Sequence, residues 1–226
     1  MRLNWKKYAF EIIAIFIGIT ISFVFENWKN NLEKKQSSKI YISNIQNDLT
    51  RTVNWIAAID TTLEYTYTVL MKFENGEAVD LYQLGEAMDN MSESTIDIQI
   101  KSLLPNLHRI QDFEGVKSND LIYDIQTALT YINSLAENDA DLCVFISNYF
   151  ANQLYQSPLI AEALWFYNTT ESGSFSKKVT TNSSPEIIPK VQIMIIKLNH
   201  LLKCHNALSN QINILNNQLK ELKSNL

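Results

Sequence analysis

Apolar positions recur at alternating spacings of three and four in three long stretches of the chain, which is the signature of helices that bury one stripe. The C-terminal stretch is the most regular. Val191, Met194, Leu198, Leu201, His205, Leu208, Ile212, Leu215, Leu219 and Leu222 keep the alternation without a miss. The pattern predicts a coiled-coil-like helix over 186–224. Ile188, Ile195 and Leu202 widen the stripe in its first half, so more than one packing neighbour is expected there. Past Leu208 it narrows to a seam expected to run free or to self-associate.

The second stretch covers about 119–155, with Ser118 or Asn119 as its cap and Leu121, Ile125, Leu129, Ile132, Leu142, Ile146 and Tyr149 as its stripe. The acidic run "ENDAD" at 137–141 is expected to kink it. The third stretch carries Ile42, Ile45, Leu49, Val53, Ile56, Leu63, Tyr67 and Leu70, and "ENGEAVD" ends it at Gly76. No Gly or Pro occurs between Ile19 and Asn75, so this helix extends back toward the N-terminus, with a hinge expected at "KKQSSK", 34–39.

Shorter helices are predicted over 80–91, with Pro105 in the first turn of the next and Gly115 after its end, and from Pro158. "TIDIQIK" (95–101) alternates like a strand but lacks a strand-like partner, so an extended or helical connector is expected. Residues 169–186, rich in Ser and Thr, read as a loop.

The segment "YAFEIIAIFIGITISFVF", 8–25, is almost wholly apolar. As a helix it spans ~27 Å at ~1.5 Å per residue. Trp5 and Trp28 bracket it at a separation of ~35 Å, matching the hydrocarbon layer plus part of each interface, where Trp is favoured. Basic side chains flank both ends, and the run closes in "SFVFENWKNN" with no signal-peptidase site. An uncleaved single-pass anchor is therefore predicted. Lys and Arg are balanced across its two flanks, which leaves the side of the soluble part open.

One carboxylate, Glu11, lies in this run. Its simplest role is an interfacial pair with Lys7, one turn earlier. Glu11 also shares an arc of the helix with Ala14, Gly18 and Ser22, and small residues at this spacing let two helices approach closely in lipid. The alternative is thus a self-association stripe with Glu11 facing a partner helix, and beyond that an ion-conducting role.

Together these elements predict an all-α fold. A transmembrane helix with its flanks (1–35) precedes an elongated bundle (36–226) of three long helices, each ~55 Å, plus short ones. The scarcity of Gly and Pro, five and four, disfavours an all-β chain, which needs many turns. Lys far outnumbers Arg and Asn is abundant, which points to an AT-rich bacterial coding sequence and hence to the bacterial inner membrane.

Net charge is −5, with an acidic middle (74–141) and a basic tail (177–226). That distribution suits antiparallel packing or self-association and not the tracking of phosphates, so no nucleic-acid partner is expected.

The chain resembles an uncharacterised bacterial family of short single-span membrane proteins with a domain of unknown function. "EIIAIFIGITISF" followed by "ENWKNN", then "YISNIQNDL", then "GVKSNDLIYDIQTAL" before a long terminal helix carry the resemblance. The departure is at "LLPNLHRIQDFEG", where the family would have a more regular turn containing Ser and Gly. The resemblance implies a membrane location and a helical fold, and no activity.

Candidate chemistry is sparse. His200 and Cys204 stand at i, i+4 with His205 adjacent, and an i, i+4 pair can bind zinc. Further ligands would have to come from His108 or the carboxylates of 137–141, so no metal or other cofactor is expected. His205 reads instead as a polar seam residue that fixes helix register, and on that basis His205→Leu is expected to raise thermal stability while loosening the oligomer state. The run 137–141 lacks the Gly and terminal Glu of a calcium loop. No phosphate-binding, dinucleotide or nucleophile-elbow motif occurs, so catalysis is not expected.

The sequence predicts a self-associating membrane protein that acts through protein contacts, as a scaffold or signal relay. Its partners are expected to be the lipid bilayer, further copies of itself and an unidentified protein. A membrane-perturbing or pore-forming effector of a bacterial defence system and a ligand-sensing helical module are the alternatives.

Overall fold

The computed structural model describes residues 5–91, 119–169 and 177–225, with side chains in the first helix from Ile15 onward. The described chain is almost entirely helical. The long helices are α1 (Trp5–Glu74), α3 (Asn119–Tyr149) and α5 (Ile188–Asn225). The short ones are α2 (Leu81–Asp89) and α4 (Pro158–Thr169). The expected connector at 95–101 and the helix between Pro105 and Gly115 fall outside the described residues.

α5 is the axis. It packs against both α1 and α3 and runs antiparallel to each. Side-chain bonds mark the register against α1: Gln46 donates to the Asn216 carbonyl at 3.2 Å, and at the other end Gln192 donates to Glu74 at 2.8 Å. Against α3, Lys197 lies 4.5 Å from the Phe145 ring centroid, and just beyond the end of that helix Lys190 Nζ donates to the Gln153 carbonyl at 3.1 Å. Every residue of the α5 seam is buried, through to Leu222. The half beyond Leu208 does not run free: it packs with Ile42–Ile56 of α1 and Leu121–Ala136 of α3. Burial of so many Leu and Ile side chains, at roughly 1.5–3 kcal/mol each, is the main force holding the three rods together.

α1 passes through 34–39 without a break, so the hinge expected there is absent. Nothing in "KKQSSK" opposes a helix, because it lacks Gly, Pro and any β-branched run. α1 stops at Gly76, whose φ of 80° is open to glycine at little cost. Glu77 N–H bonds the Lys72 carbonyl at 3.0 Å and Gly76 N–H the Phe73 carbonyl at 3.1 Å, a Schellman cap.

The chain then forms a two-residue strand, β1 (Val79–Asp80), antiparallel to β2 (Lys178–Val179). This pairing lies in the segment expected to be an irregular loop. Asp80 caps α2 by accepting from Tyr82 N–H at 2.9 Å.

α3 is likewise unbroken at 137–141. The irregularity comes later, as one π-helical turn at Phe150–Leu154. α2 and α4 pack closely because Gly85 faces Ala163: a Cβ at Gly85 would lie 2.2 Å from the Ala163 carbonyl oxygen. Tyr65 on α1 ties α2 to the bundle by donating to Glu86 at 2.6 Å, and burial followed by that carboxylate pushes its phenol pKa up.

Candidate functional site

The apolar interior is divided in two. One cluster joins Leu63–Phe73 of α1, Cys143 and Ile146 of α3 and Val191–Leu201 of α5 to α2 and α4. The other joins Ile42–Ile56, Leu121–Ala136 and Leu208–Leu222. Between them lies one polar layer, with a single residue from each long helix: Asp60 of α1, Asp139 of α3 and His205 of α5.

His205 is fully buried and both its ring nitrogens are engaged. Nε2 faces Asp139 Oδ1 at 2.8 Å, and Nδ1 makes a short contact with Asp60 Oδ1. The two carboxylates differ in environment. The Asp139 side chain is 0% exposed and its Oδ2 has no partner among the described residues, whereas the Asp60 side chain is 24% exposed.

Burial alone would pull the imidazole pKa down, but hydrogen bonds and charge attraction from Asp139 and Asp60 outweigh it and raise it to about 9. The ring is therefore an imidazolium at neutral pH, the only form able to donate to both carboxylates at once. Cys204, next along α5, donates to the Leu135 carbonyl at 3.3 Å. Burial and the nearby Asp139 push its thiol up to about 11, which keeps it protonated and poorly nucleophilic.

This geometry reverses one sequence expectation. Leu at position 205 would strand a wholly buried carboxylate and so destabilise the bundle. His205 does sit where a register-setting residue should, since sliding α5 by one turn would bring Leu201 or Leu208 against the carboxylates. His200 is exposed and apart from this layer, and among the described residues no group of three or more His, Cys, Asp or Glu is placed to hold a metal ion.

The partners of His205 went unassigned in the sequence, yet a signal exists. Ile125, Ile132, Asp139 and Ile146 recur every seven residues, so Asp139 occupies a core position of its heptad. Asp60 follows Ile59, which is partly buried and packs against both apolar clusters.

At the far end of α1 every side chain from Ile15 to Ser37 is exposed. Within it Phe16, Ile17, Ile21, Phe23, Val24 and Phe25 are each more than half exposed. Gly18 has open space around it. Ser22 donates to the Gly18 carbonyl at 2.9 Å and Thr20 to the Phe16 carbonyl at 2.8 Å, so both hydroxyls are satisfied within the helix. Trp28 is exposed and packs its ring 5.7 Å from that of Phe25.

The side chains of Trp5, Glu11 and Ala14 lie outside the described residues. Among the described residues no helix is long and apolar enough to cross a membrane, and these side chains begin at Ile15, within the apolar run that starts at Tyr8.

Comparison with family models, with curated proteins and with solved structures finds no match to this chain.

Proposed function

We propose that the protein is a membrane-anchored, self-associating helical rod that works through protein contacts and not through catalysis, in the bacterial inner membrane. One observation carries the proposal: α1 projects beyond the bundle as an exposed apolar helix whose Thr20 and Ser22 hydroxyls are folded back onto its own backbone. Such a surface is costly in water, at ~25 cal/mol per Å² of apolar area, and is stable in lipid, where each polar group must be satisfied internally. The projecting part, Trp5–Ser37, is ~50 Å long at ~1.5 Å per residue. That length allows the apolar run to lie in hydrocarbon while Lys29, Lys34 and Lys35 sit in the aqueous interface.

Because α1 continues without a break into the bundle, a displacement of the anchor is transmitted to the core as motion of one rod. This is the mechanical basis for a scaffold or relay. The small-residue stripe Ala14, Gly18 and Ser22 supplies the face on which copies of the anchor meet.

Alkaline carbonate extraction and flotation of the full-length protein test the proposal. The chain is expected to float with the lipid, and an Ile17→Asp/Ile21→Asp variant to remain in the aqueous fraction. Full-length protein in the carbonate supernatant would overturn it.

A further inference from the structure

The layer that divides the core joins three helices through one buried ring, and its two carboxylates are unequally exposed. We propose that it is a proton-operated clasp between α1 and α5: the doubly protonated His205 ring holds both carboxylates, and loss of one proton releases Asp60 and keeps Asp139. A neutral imidazole carries one N–H and one lone pair, so it can donate to one carboxylate only and turns its lone pair against the other. Asp139 is wholly buried and one of its oxygens already has no partner among the described residues; losing the bond to His205 would leave a bare charge in the core. Asp60 stands at the solvent edge, where water can replace the ring. The surviving N–H is therefore the one on Nε2, and the contact that opens is the one made by α1.

Among the described residues, the charged groups facing the ring are Asp60 from α1 and Asp139 from α3. α5 itself places only the neutral Cys204 thiol nearby. Among the described residues the ion pairs of both carboxylates are with His205 alone. The layer also sits midway along the packed length of α1, between Ile56 and Leu63, which belong to different apolar clusters. Release there loosens the middle of the α1–α5 contact while both hydrophobic ends hold, so the clasp changes the attachment of α1 without unfolding the bundle. Linkage makes the effect reciprocal: any event that pulls α1 from α5 lowers the affinity of His205 for its proton.

The chain has only three histidines, so the full-length protein labelled with ¹³C and ¹⁵N at histidine, in detergent micelles, gives a spectrum simple enough to follow each ring from pH 6 to 11. His205 is expected to titrate with a midpoint near 9, and its high-pH form to be the Nε2–H tautomer. Amide protection factors around Asp60 in α1 are expected to fall about tenfold across that midpoint, while those around Asp139 in α3 hold. In Asp60→Asn, whose amide can either accept from or donate to Nδ1, the fall in α1 protection is expected to disappear. A midpoint at or below 6.5, an Nδ1–H tautomer at high pH, or α1 protection that ignores the midpoint would each overturn the proposal. So would an Asp60→Asn protein with the same pH-dependent loss. The tautomer is read on the unmodified chain, so that test stands whether or not the variant folds.

Discussion

Replacing His205 by Leu removes the one cation between two carboxylates and leaves the side chain of Asp139 unpaired at 0% exposure. Leu matches the seam and adds apolar area worth roughly 1.5–3 kcal/mol when buried. Against this, breaking a buried ion pair by removing one partner costs about 3–5 kcal/mol. Asp60 adds little because it can turn to water. The net expectation is a loss of about 1–3 kcal/mol. For a chain of this size each kcal/mol moves the midpoint by about 2–4 °C, so His205→Leu should melt about 2–12 °C lower by circular dichroism at pH 7 in micelles. The double variant His205→Leu/Asp139→Val removes the stranded charge as well. It should recover to the wild-type midpoint or above, because an apolar replacement of a whole buried ionic group is often neutral or stabilising. A single variant that melts at or above wild type, or a double variant no better than the single one, would refute the reasoning.

Other outcomes follow from the same structure. The folded-state pKa of His205 lies above its unfolded value, so its contribution is complete below pH ~6.5, declines as pH rises, and is lost above its folded pKa of about 9; denaturation midpoints should fall across that window in wild type and stay flat in His205→Leu/Asp139→Val. Gly85→Ala gains up to ~1 kcal/mol of helix propensity, but its methyl would meet the Ala163 carbonyl oxygen; a net loss of about 1–3 kcal/mol is expected, read as a lower melting temperature. Thr66→Val is nearly isosteric and removes a buried hydroxyl without a hydrogen-bond partner among the described residues, so it should raise stability by about 1 kcal/mol in chemical denaturation. Gly18→Leu adds bulk to the proposed anchor–anchor face and should deplete crosslinked oligomers in membranes; an unchanged oligomer population would remove that face from the proposal.

The long helices were legible because their stripes are regular and their ends are punctuated. Gly76 and Pro158 stand where α1 ends and α4 begins, and the α5 seam keeps its spacing from Val191 to Leu222. The identities of some core residues were not legible. A hydropathy stripe selects Val53 and Tyr67 in α1, but strict three–four spacing places Thr52 and Thr66 in the buried positions and leaves Val53 and Tyr67 half-buried. Thr52 is accommodated because its hydroxyl bonds the Asp48 carbonyl at 3.0 Å. Leu142 and Tyr149 pack only at the margin, and it is their neighbours Cys143 and Phe150 that are buried, while Asp139 takes a core position that hydropathy does not select.

The polar layer shows why. Asp139 within "ENDAD" looks like one of several solvated carboxylates, and Asp60 like a surface charge. Neither signals burial alone, and only the antiparallel register of three helices brings them level with His205. The two-residue strand pair was hidden for a related reason: a pairing that short has no periodicity to detect.

The most direct test of the central claim is to place single nitroxide labels along α1 in the full-length protein in bilayers. Collisional access to oxygen, which concentrates in lipid, is then compared with access to a water-soluble nickel chelate. Labels at Ile17, Ile21 and Val24 should favour oxygen and labels at Leu32 and Ile40 the chelate, with the crossover near Trp28. Chelate access that stays high and uniform from Ile17 to Ile40 would show that water, and not lipid, surrounds the projecting helix.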